Sequence, residues 1–272
     1  MDKVMGKTLF LFVPAVHLQR VAKAVQSGAD AIIIDLEDAV ADEQKHSVRQ
    51  ALMDFDKQSP CDYWLRINAA HSDDYQLDLA MLPHLVHLTG VLLPKCQNAA
   101  QVEHLHRATN KPVIAMIESA LGIANIASIA QAQGVWAMSF GRLDLLQSLG
   151  VRLGSAAAGV LFDKIRSELL IHSLANGLKP PIETVFVDFY DETGLAACVR
   201  HWRDFGFGGQ LLIHPKQVAI AKRALSDMAD EQDFARAIYQ KYQSTGETVF
   251  AVDGKMVDLP LILWAKSVLG VD

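Results

Sequence analysis

Short, uninterrupted apolar runs alternate along the chain with longer stretches of helical spacing. The runs are Thr8–Pro14, Ala31–Asp38, Tyr63–Asn68, Gly90–Lys95, Pro112–Glu118, Val135–Gly141, Thr184–Asp188 and Gln210–Pro215. Each is rich in β-branched, aliphatic or aromatic residues and bounded by turn residues. None shows the apolar–polar alternation of a strand with one wet face, so each predicts a strand covered on both sides. Eight such βα units predict an α/β fold, a TIM (β/α)8 barrel with its helices outside. The start positions leave one long interval, between 135 and 184, and predict an insertion over residues 143–178. It holds two helical patterns separated by VRLGSAAAG. Past Ala224 the register changes: Met228–Tyr242 reads as a charged amphipathic helix, VFAVDGKMVDLP as a hairpin turning at Asp253–Gly254, and Leu261–Leu269 as a last helix. The expected division is a barrel over 1–224 and a C-terminal helical and hairpin extension over 225–272, placed to cap the barrel or to contact a neighbouring subunit.

Composition narrows the function classes. At 272 residues and 51% hydrophobic content the chain can bury a large core. Lys and Arg number 25 against 31 Asp and Glu, a net charge of −6, and no long basic run interrupts the chain. That balance argues against a nucleic-acid or anionic-membrane partner, since both need a broad basic footprint. Cys61, Cys96 and Cys198 stand far apart with no metal-type spacing, which fits a reducing, cytoplasmic setting. The apolar run starting at Leu9 is broken by Pro14 and His17, and no stretch reaches the length of a membrane helix, so neither a leader nor a membrane span is expected.

Ionisable residues collect at the C-terminal ends of the predicted strands. Glu37 and Asp38 close the second, Arg66 and Asn68 the third, Lys95 the fourth and Glu118 the fifth. Asp144 follows the sixth, Asp188 closes the seventh and His214 the eighth. In a parallel barrel these ends share one mouth, where active sites of this fold sit. Glu118 and Asp144, from neighbouring strand ends, offer paired hard oxygens of the kind Mg²⁺ takes beside substrate oxygens and water. Each would otherwise cap the helix that follows it. Strand alternation puts Asp35 and Glu37 on one face and turns Asp38 the other way. Arg66 calls for a carboxylate or an anionic substrate, and a salt bridge to Glu37 or Asp38 is the plainer alternative. Lys95 suits neutralisation of a substrate or of the carboxylate cluster, with a Schiff-base role as a minor option. His214, before Pro215, reads as a structural histidine. No GxGxxG follows the first strand, and there is no P-loop and no GxSxG elbow.

Eight segments in order, LFVPA at Leu11, IIDLEDAV at Ile33, RIN at Arg66, LPK at Leu93, IESALGI at Ile117, FGRLD at Phe140, GFGG followed by LIHPKQV from Gly206, and DGKMVDLP at Asp253, resemble the citrate lyase beta-subunit-like family. These are metal-dependent acyl-CoA lyases and hydroxyacid aldolases on a TIM barrel. The resemblance implies Mg²⁺-dependent cleavage of a 3-hydroxyacyl-CoA thioester to acetyl-CoA and a 2-oxo acid, with citramalyl-CoA, citryl-CoA or malyl-CoA as substrate. Glu118 and Asp144 would hold the metal, and Arg66, Lys95 and Glu118 would contact substrate. Arg66 would stabilise the enolate, while Glu37 and Asp38 orient Arg66 and water. Asp258 matches the family's C-terminal carboxylate, a general acid/base that reaches a neighbour's active site, which implies a homotrimer; on its residues alone Asp258 reads as a helix N-cap. Two other readings stand beside this one: a malate-synthase-like condensing or thioesterase enzyme, and a non-catalytic CoA-thioester-binding protein. In the first loop Thr8–Leu9, Pro14–Ala15 and Val16–His17–Leu18 depart from the family's Arg-Ser, Pro-Gly and Asn-Arg-Pro pattern, leaving Lys45 and Arg49 as charges for the thioester carrier.

Overall fold

The computed structural model describes residues 7–226 and 229–271. Their contacts divide into two compact units, Lys7–Lys222 and the segment from Arg223 on. In the first, β1 (Thr8–Pro14), β2 (Ala31–Asp35), β3 (Tyr63–Arg66), β4 (Leu88–Leu93), β5 (Val113–Ile117), β6 (Val135–Phe140), β7 (Ile182–Glu183) and β8 (Gly209–Leu212) pair in parallel, each with its sequence neighbours. β8 pairs back onto β1, from Thr8 against Gly209 to Leu11 against Leu212, and closes the barrel. A Cβ on Gly209 would collide with the Thr8 carbonyl, so this seam needs a glycine.

Side chains of alternate strand residues point inward. Phe10, Ile33, Trp64, Leu92, Ile114, Met116, Ala137, Ile182 and Leu211 form one buried cluster that fills the barrel. The Trp64 and Trp136 rings sit 5.0 Å apart, with Phe10 edge-on to Trp64 at 6.1 Å. Gly90 makes room for this plug, because a Cβ there would lie 2.7 Å from Trp64 Cη2 and 2.8 Å from the Pro112 carbonyl. At the start of β3, Asp56 accepts hydrogen bonds from the Tyr63 hydroxyl at 2.7 Å and from the backbone N–H groups of Val86 and His87 at 2.7 and 3.0 Å. That ties the end of the barrel away from the mouth.

The seventh strand differs from expectation. It comprises Ile182 and Glu183, and Thr184–Asp188 is irregular backbone after it. Glu183 is held by Arg166, which donates from Nε to Oε2 at 2.8 Å and from Nη2 to Oε1 at 2.9 Å, both residues being buried. A charged residue can occupy this strand only because the helix outside brings a guanidinium to it. Asp188 consequently closes no strand: its Oδ1 accepts from the N–H groups of Tyr190 and Asp191 in a local turn. β2, β3 and β8 also end earlier than the apolar runs, at Asp35, Arg66 and Leu212, so the polar residues beyond them stand on loops. The expected insertion contains helices Arg142–Leu149 and Ala156–Ala175, with Gly150 and Gly154 at positive φ between them.

In the second unit, helix Ala229–Thr245 and helix Leu259–Leu269 flank a hairpin of β9 (Phe250–Val252) and β10 (Lys255–Val257). Met228, the predicted start of the first of these helices, lies outside the described residues. Asp253 and Gly254 have φ of 49° and 75°, the pair of left-handed residues a tight hairpin needs. This unit has its own core of Ala235, Ile238, Phe250, Val252, Val257, Ile262 and Ala265. Among the described residues no helix is long and apolar enough to cross a membrane.

Candidate active site at the barrel mouth

The alternation that fills the barrel carries on past the plug. Asp35 follows Ile33 by two residues, Arg66 follows Trp64, and Glu118 follows Met116, so the layer above the apolar plug is charged. Asp35 and Arg66 are register partners across β2 and β3. Arg66 therefore lays its fork on Asp35, Nε to Oδ1 at 2.7 Å and Nη2 to Oδ2 at 2.6 Å. Its remaining nitrogen, Nη1, lies 3.1 Å from Glu37 Oε2 and 3.3 Å from Asp38 Oδ2. Burial alone would lower the Arg66 pKa, and the Asp35, Glu37 and Asp38 charges overcome it and raise it.

Asp38 was expected to turn away from this face. Because β2 stops at Asp35 and the chain bends, Asp38 returns to the cluster, where it also lies 3.5 Å from Lys95 Nζ. Lys95 Nζ donates to Glu37 Oε1 at 2.6 Å. Burial pushes the Glu37 carboxyl up, against the pull of Arg66 and Lys95, and its Oε2 has no hydrogen-bond donor. Lys95 itself stands at φ 49°, and that turn aims its backbone N–H at Glu118 Oε2, 2.7 Å away.

Glu118 is 4% exposed. Burial first, and then the negative charges of Glu37 and Asp144, push its carboxyl up to about 8, against the Lys95 N–H and the Arg66 charge. Its Oε1 packs on Gly141, where a Cβ would collide with it. Asp144 stands in the first turn of helix Arg142–Leu149. Phe12, Asp35, Asp38, Arg66, Glu118, Arg142, Asp144 and Thr184 are among the residues lining one cavity of about 330 Å³. Glu37 and Lys95 line an adjoining hollow of about 370 Å³ that shares Asp38.

Whether these groups fit a divalent ion can be judged from the donor set. Among the described residues no three or more His, Cys, Asp or Glu side chains are grouped as a metal cage. Mg²⁺ takes one or two protein carboxylates, with water and substrate completing its shell. Glu118 and Asp144 supply two hard oxygen donors, and the Glu118 carboxyl, pushed up by burial first and then by the charges of Glu37 and Asp144, is a group whose ionised form a cation would relieve. The donor set fits.

Lys45 lines the adjoining hollow with Glu37 and Lys95, and both it and Arg49 already have partners. Lys45 donates to Asn68 Oδ1 at 2.6 Å and lies 3.1 Å from Asp42, while Arg49 Nη1 donates to Asp74 at 2.8 Å. His214 stacks on Phe189 at 5.0 Å and accepts from the Lys216 N–H through Nδ1 at 3.1 Å, a structural placement. Asp258, in the second unit, caps helix Leu259–Leu269 by accepting from the Leu261 N–H at 3.4 Å. The sequence puts Asp35 on one face with Glu37 without a role and singles out no role for Arg142; the register pairing of Asp35 with Arg66 and the burial of the Arg142 Nε are properties of the folded barrel.

Comparison with known proteins adds the family. The family described as HpcH/HpaI aldolase/citrate lyase matches residues 8–215. A citrate lyase subunit beta-like protein of Mycobacterium tuberculosis is 35% identical over 266 residues, 96% of this chain and 93% of that protein. A (3S)-malyl-CoA thioesterase of Cereibacter sphaeroides is 32% identical over 95% of this chain and 92% of its own length. The mitochondrial citramalyl-CoA lyase of Rattus norvegicus is 26% identical over 98% and 86%. Among solved structures, CitE of M. tuberculosis in complex with magnesium, acetoacetate and coenzyme A superposes with a TM-score of 0.87 at 34% identity, covering 98% of each chain. With its closed eight-stranded parallel barrel and a match along nearly its whole length, the chain belongs to the HpcH/HpaI aldolase/citrate lyase family and is with it a lyase.

Proposed function

We propose that the barrel mouth cleaves the carbon–carbon bond of a 3-hydroxyacyl-CoA thioester to acetyl-CoA and a 2-oxo acid, with citramalyl-CoA or citryl-CoA as substrate and malyl-CoA as a third candidate. The observation that carries this reading is the Arg66 guanidinium, locked by the Asp35 fork in the same cavity as the Glu118 and Asp144 carboxylates. The relatives named for citramalyl-CoA and malyl-CoA, and the CitE complex with magnesium and coenzyme A, support the substrate class.

Magnesium, held by Glu118 and Asp144, would polarise the hydroxyl and carboxylate oxygens of the substrate's oxo-acid half. The chain's own residues do the rest. A carboxylate takes the hydroxyl proton, and the carbonyl of the 2-oxo acid forms as the carbon–carbon bond breaks. That electron pair passes to the thioester as an enolate, whose carbon then takes a proton to give acetyl-CoA. Arg66 faces the enolate oxygen with a cation already oriented, so no reorganisation is needed as charge develops. Glu37 and Asp38 fix its third nitrogen, and Lys95 offsets their charge while contacting substrate. Asp258 is assigned as the acid/base, delivered from a neighbouring subunit of a homotrimer; its support is that it stands on the second unit and not on the barrel. A reducing cytoplasm suits the three free cysteines.

The test is acetyl-CoA release from malyl-, citramalyl- and citryl-CoA, with Mg²⁺ and with chelator, comparing wild type and Asp258→Ala. Metal-dependent release lost in Asp258→Ala is expected; release that survives chelation would sink the reading. The relative named a malyl-CoA thioesterase favours one further outcome, free CoA thiol appearing in place of acetyl-CoA. Thioester binding with neither product would indicate a binding protein.

A further inference from the structure

The cations of the mouth are matched by carboxylates, with one exception. Arg66 meets Asp35, Glu37 and Asp38, and Lys95 meets Glu37 and Asp38. Arg142 opens the helix after β6 and lines the mouth cavity with Glu118 and Asp144. It also lines a second hollow of about 210 Å³, mostly apolar, that shares Leu143 and Val185 with the first. Arg142 thus stands on the wall between the two. Its guanidinium carbon lies 5.1 Å over the Phe162 ring, and its Nε is buried without a hydrogen-bond partner. Among the described residues no carboxylate stands within ion-pair distance of it.

Arg142 is half-buried, with its Nε cut off from water and unpartnered in the protein, and the planar fork of a guanidinium suits a carboxylate that meets it there. Position says which one. Arg142 follows Gly141, on which the Glu118 carboxylate packs, and precedes Asp144 by two residues. A group it receives is therefore carried by the part of the substrate next to those two carboxylates. Any second acid there would be repelled by Glu118 and Asp144 without a cation to meet it.

We propose that Arg142 is a specificity-determining residue that receives a second carboxylate on the oxo-acid half of the substrate. The site then prefers thioesters that release a dicarboxylic 2-oxo acid over those that release a neutral-substituted one of similar size. This rests on the lyase reading above and chooses among its substrates: the citryl type over the citramalyl type.

The test is calorimetric binding of fresh oxaloacetate, 2-oxobutyrate and pyruvate in Mg²⁺ to wild type, Arg142→Gln and Arg142→Lys. Wild type is expected to bind oxaloacetate about tenfold tighter than 2-oxobutyrate, the scale of a hydrogen-bonded charge pair. Arg142→Gln should bring that ratio to about one while leaving the two monocarboxylates unchanged, and Arg142→Lys should retain part of it. Should Arg142→Gln fail to fold, the fall of the ratio in Arg142→Lys decides. A wild type without the preference, or a preference that survives loss of the guanidinium, overturns the inference. Acetyl-CoA release measured alongside separates the two ideas. A preference abolished in Arg142→Gln with no release from any thioester upholds Arg142 and removes the lyase reading. Release with an unmoved ratio overturns Arg142 alone.

Discussion

Lys95 holds two carboxylates of the barrel mouth at once: its backbone N–H donates to Glu118 Oε2 at 2.7 Å and its Nζ to Glu37 Oε1 at 2.6 Å. It manages this from the left-handed region, at φ 49°, where an L-residue other than Gly, Asn or Asp is uncommon. A side chain in that conformation costs about 1–2 kcal/mol, which these contacts offset.

Substitution at Lys95 separates its two jobs. Lys95→Gly removes the Nζ contact and relieves the backbone, whereas Lys95→Ala removes the contact and keeps the strain. Lys95→Gly should be the more stable of the two by about 1 kcal/mol, read from urea unfolding, although glycine is usually the destabilising choice. Equal stabilities would mean the φ is relaxed in solution.

As the proposed metal ligand, Glu118 should make metal affinity depend on pH. With its carboxyl pushed up to about 8, the folded protein without metal holds a proton that an unfolded chain releases near 4.5. A group raised in the folded state contributes stability fully present below the unfolded value and lost as pH rises through the folded one. The melting temperature of the metal-free protein should accordingly fall between pH 4.5 and 8, and Mg²⁺ should restore most at the upper end. An ion bound through Glu118 would displace that proton, so its apparent affinity should rise about tenfold per pH unit from pH 6 to 7.5. Glu118→Gln should flatten both profiles and abolish cleavage; calorimetric Mg²⁺ titrations at several pH values check this.

Gly141 carries no chemistry of its own, yet Gly141→Ala should impair turnover. The added methyl collides with Glu118 Oε1 and pushes the carboxylate off its place. A misplacement of that kind costs on the order of a hundredfold in rate. Thermal melting should show a folded protein, and a kcat within a factor of two of wild type would show that the loop yields instead.

Asp35 is the residue that orients Arg66. Asp35→Ala removes the two-pronged partner of the guanidinium and leaves Glu37 and Asp38 on its third nitrogen, and breaking such a pair from one side costs about 3–5 kcal/mol. Asp35→Asn should keep the fold better and lower kcat more than it raises KM, as expected when an interaction made in the transition state is lost. Steady-state kinetics and denaturant unfolding of both variants measure this.

The assignment of Asp258 to a neighbour's site has a test independent of the single variants. Glu118→Gln and Asp258→Ala should each be inactive alone. Unfolded together and refolded as mixed oligomers, they should regain activity at intact pairs of mouth and tail if the proposed crossing of Asp258 between subunits holds. Two inactive proteins that stay inactive when mixed would place Asp258 in its own subunit's chemistry or outside the chemistry altogether.

The strands were legible because a strand buried on both faces needs a continuous apolar run, and seven of the eight runs supplied one. The seventh was misplaced because Pro180 and Pro181 precede it and because Glu183 belongs to a strand only when Arg166 is beside it. No local pattern reports a partner 17 residues away. At the mouth, strand-end position sufficed to gather Glu37, Arg66, Lys95, Glu118 and Asp144. It did not reveal that Asp35 takes the Arg66 fork, which follows from the register of β2 on β3. Nor did it reveal that Asp38 bends back, since alternation holds only while the strand continues.

β7 has consequences for how the barrel opens. It joins β6 through a single register pair, Ser139 with Ile182, and β8 through two. The ring is closed there by few backbone hydrogen bonds, and the Arg166–Glu183 pair supplies a clamp from outside. Amide exchange should therefore begin along this stave. A denaturant or a protease would find its way in beside β7, and the helix Ala156–Ala175 would come away with it.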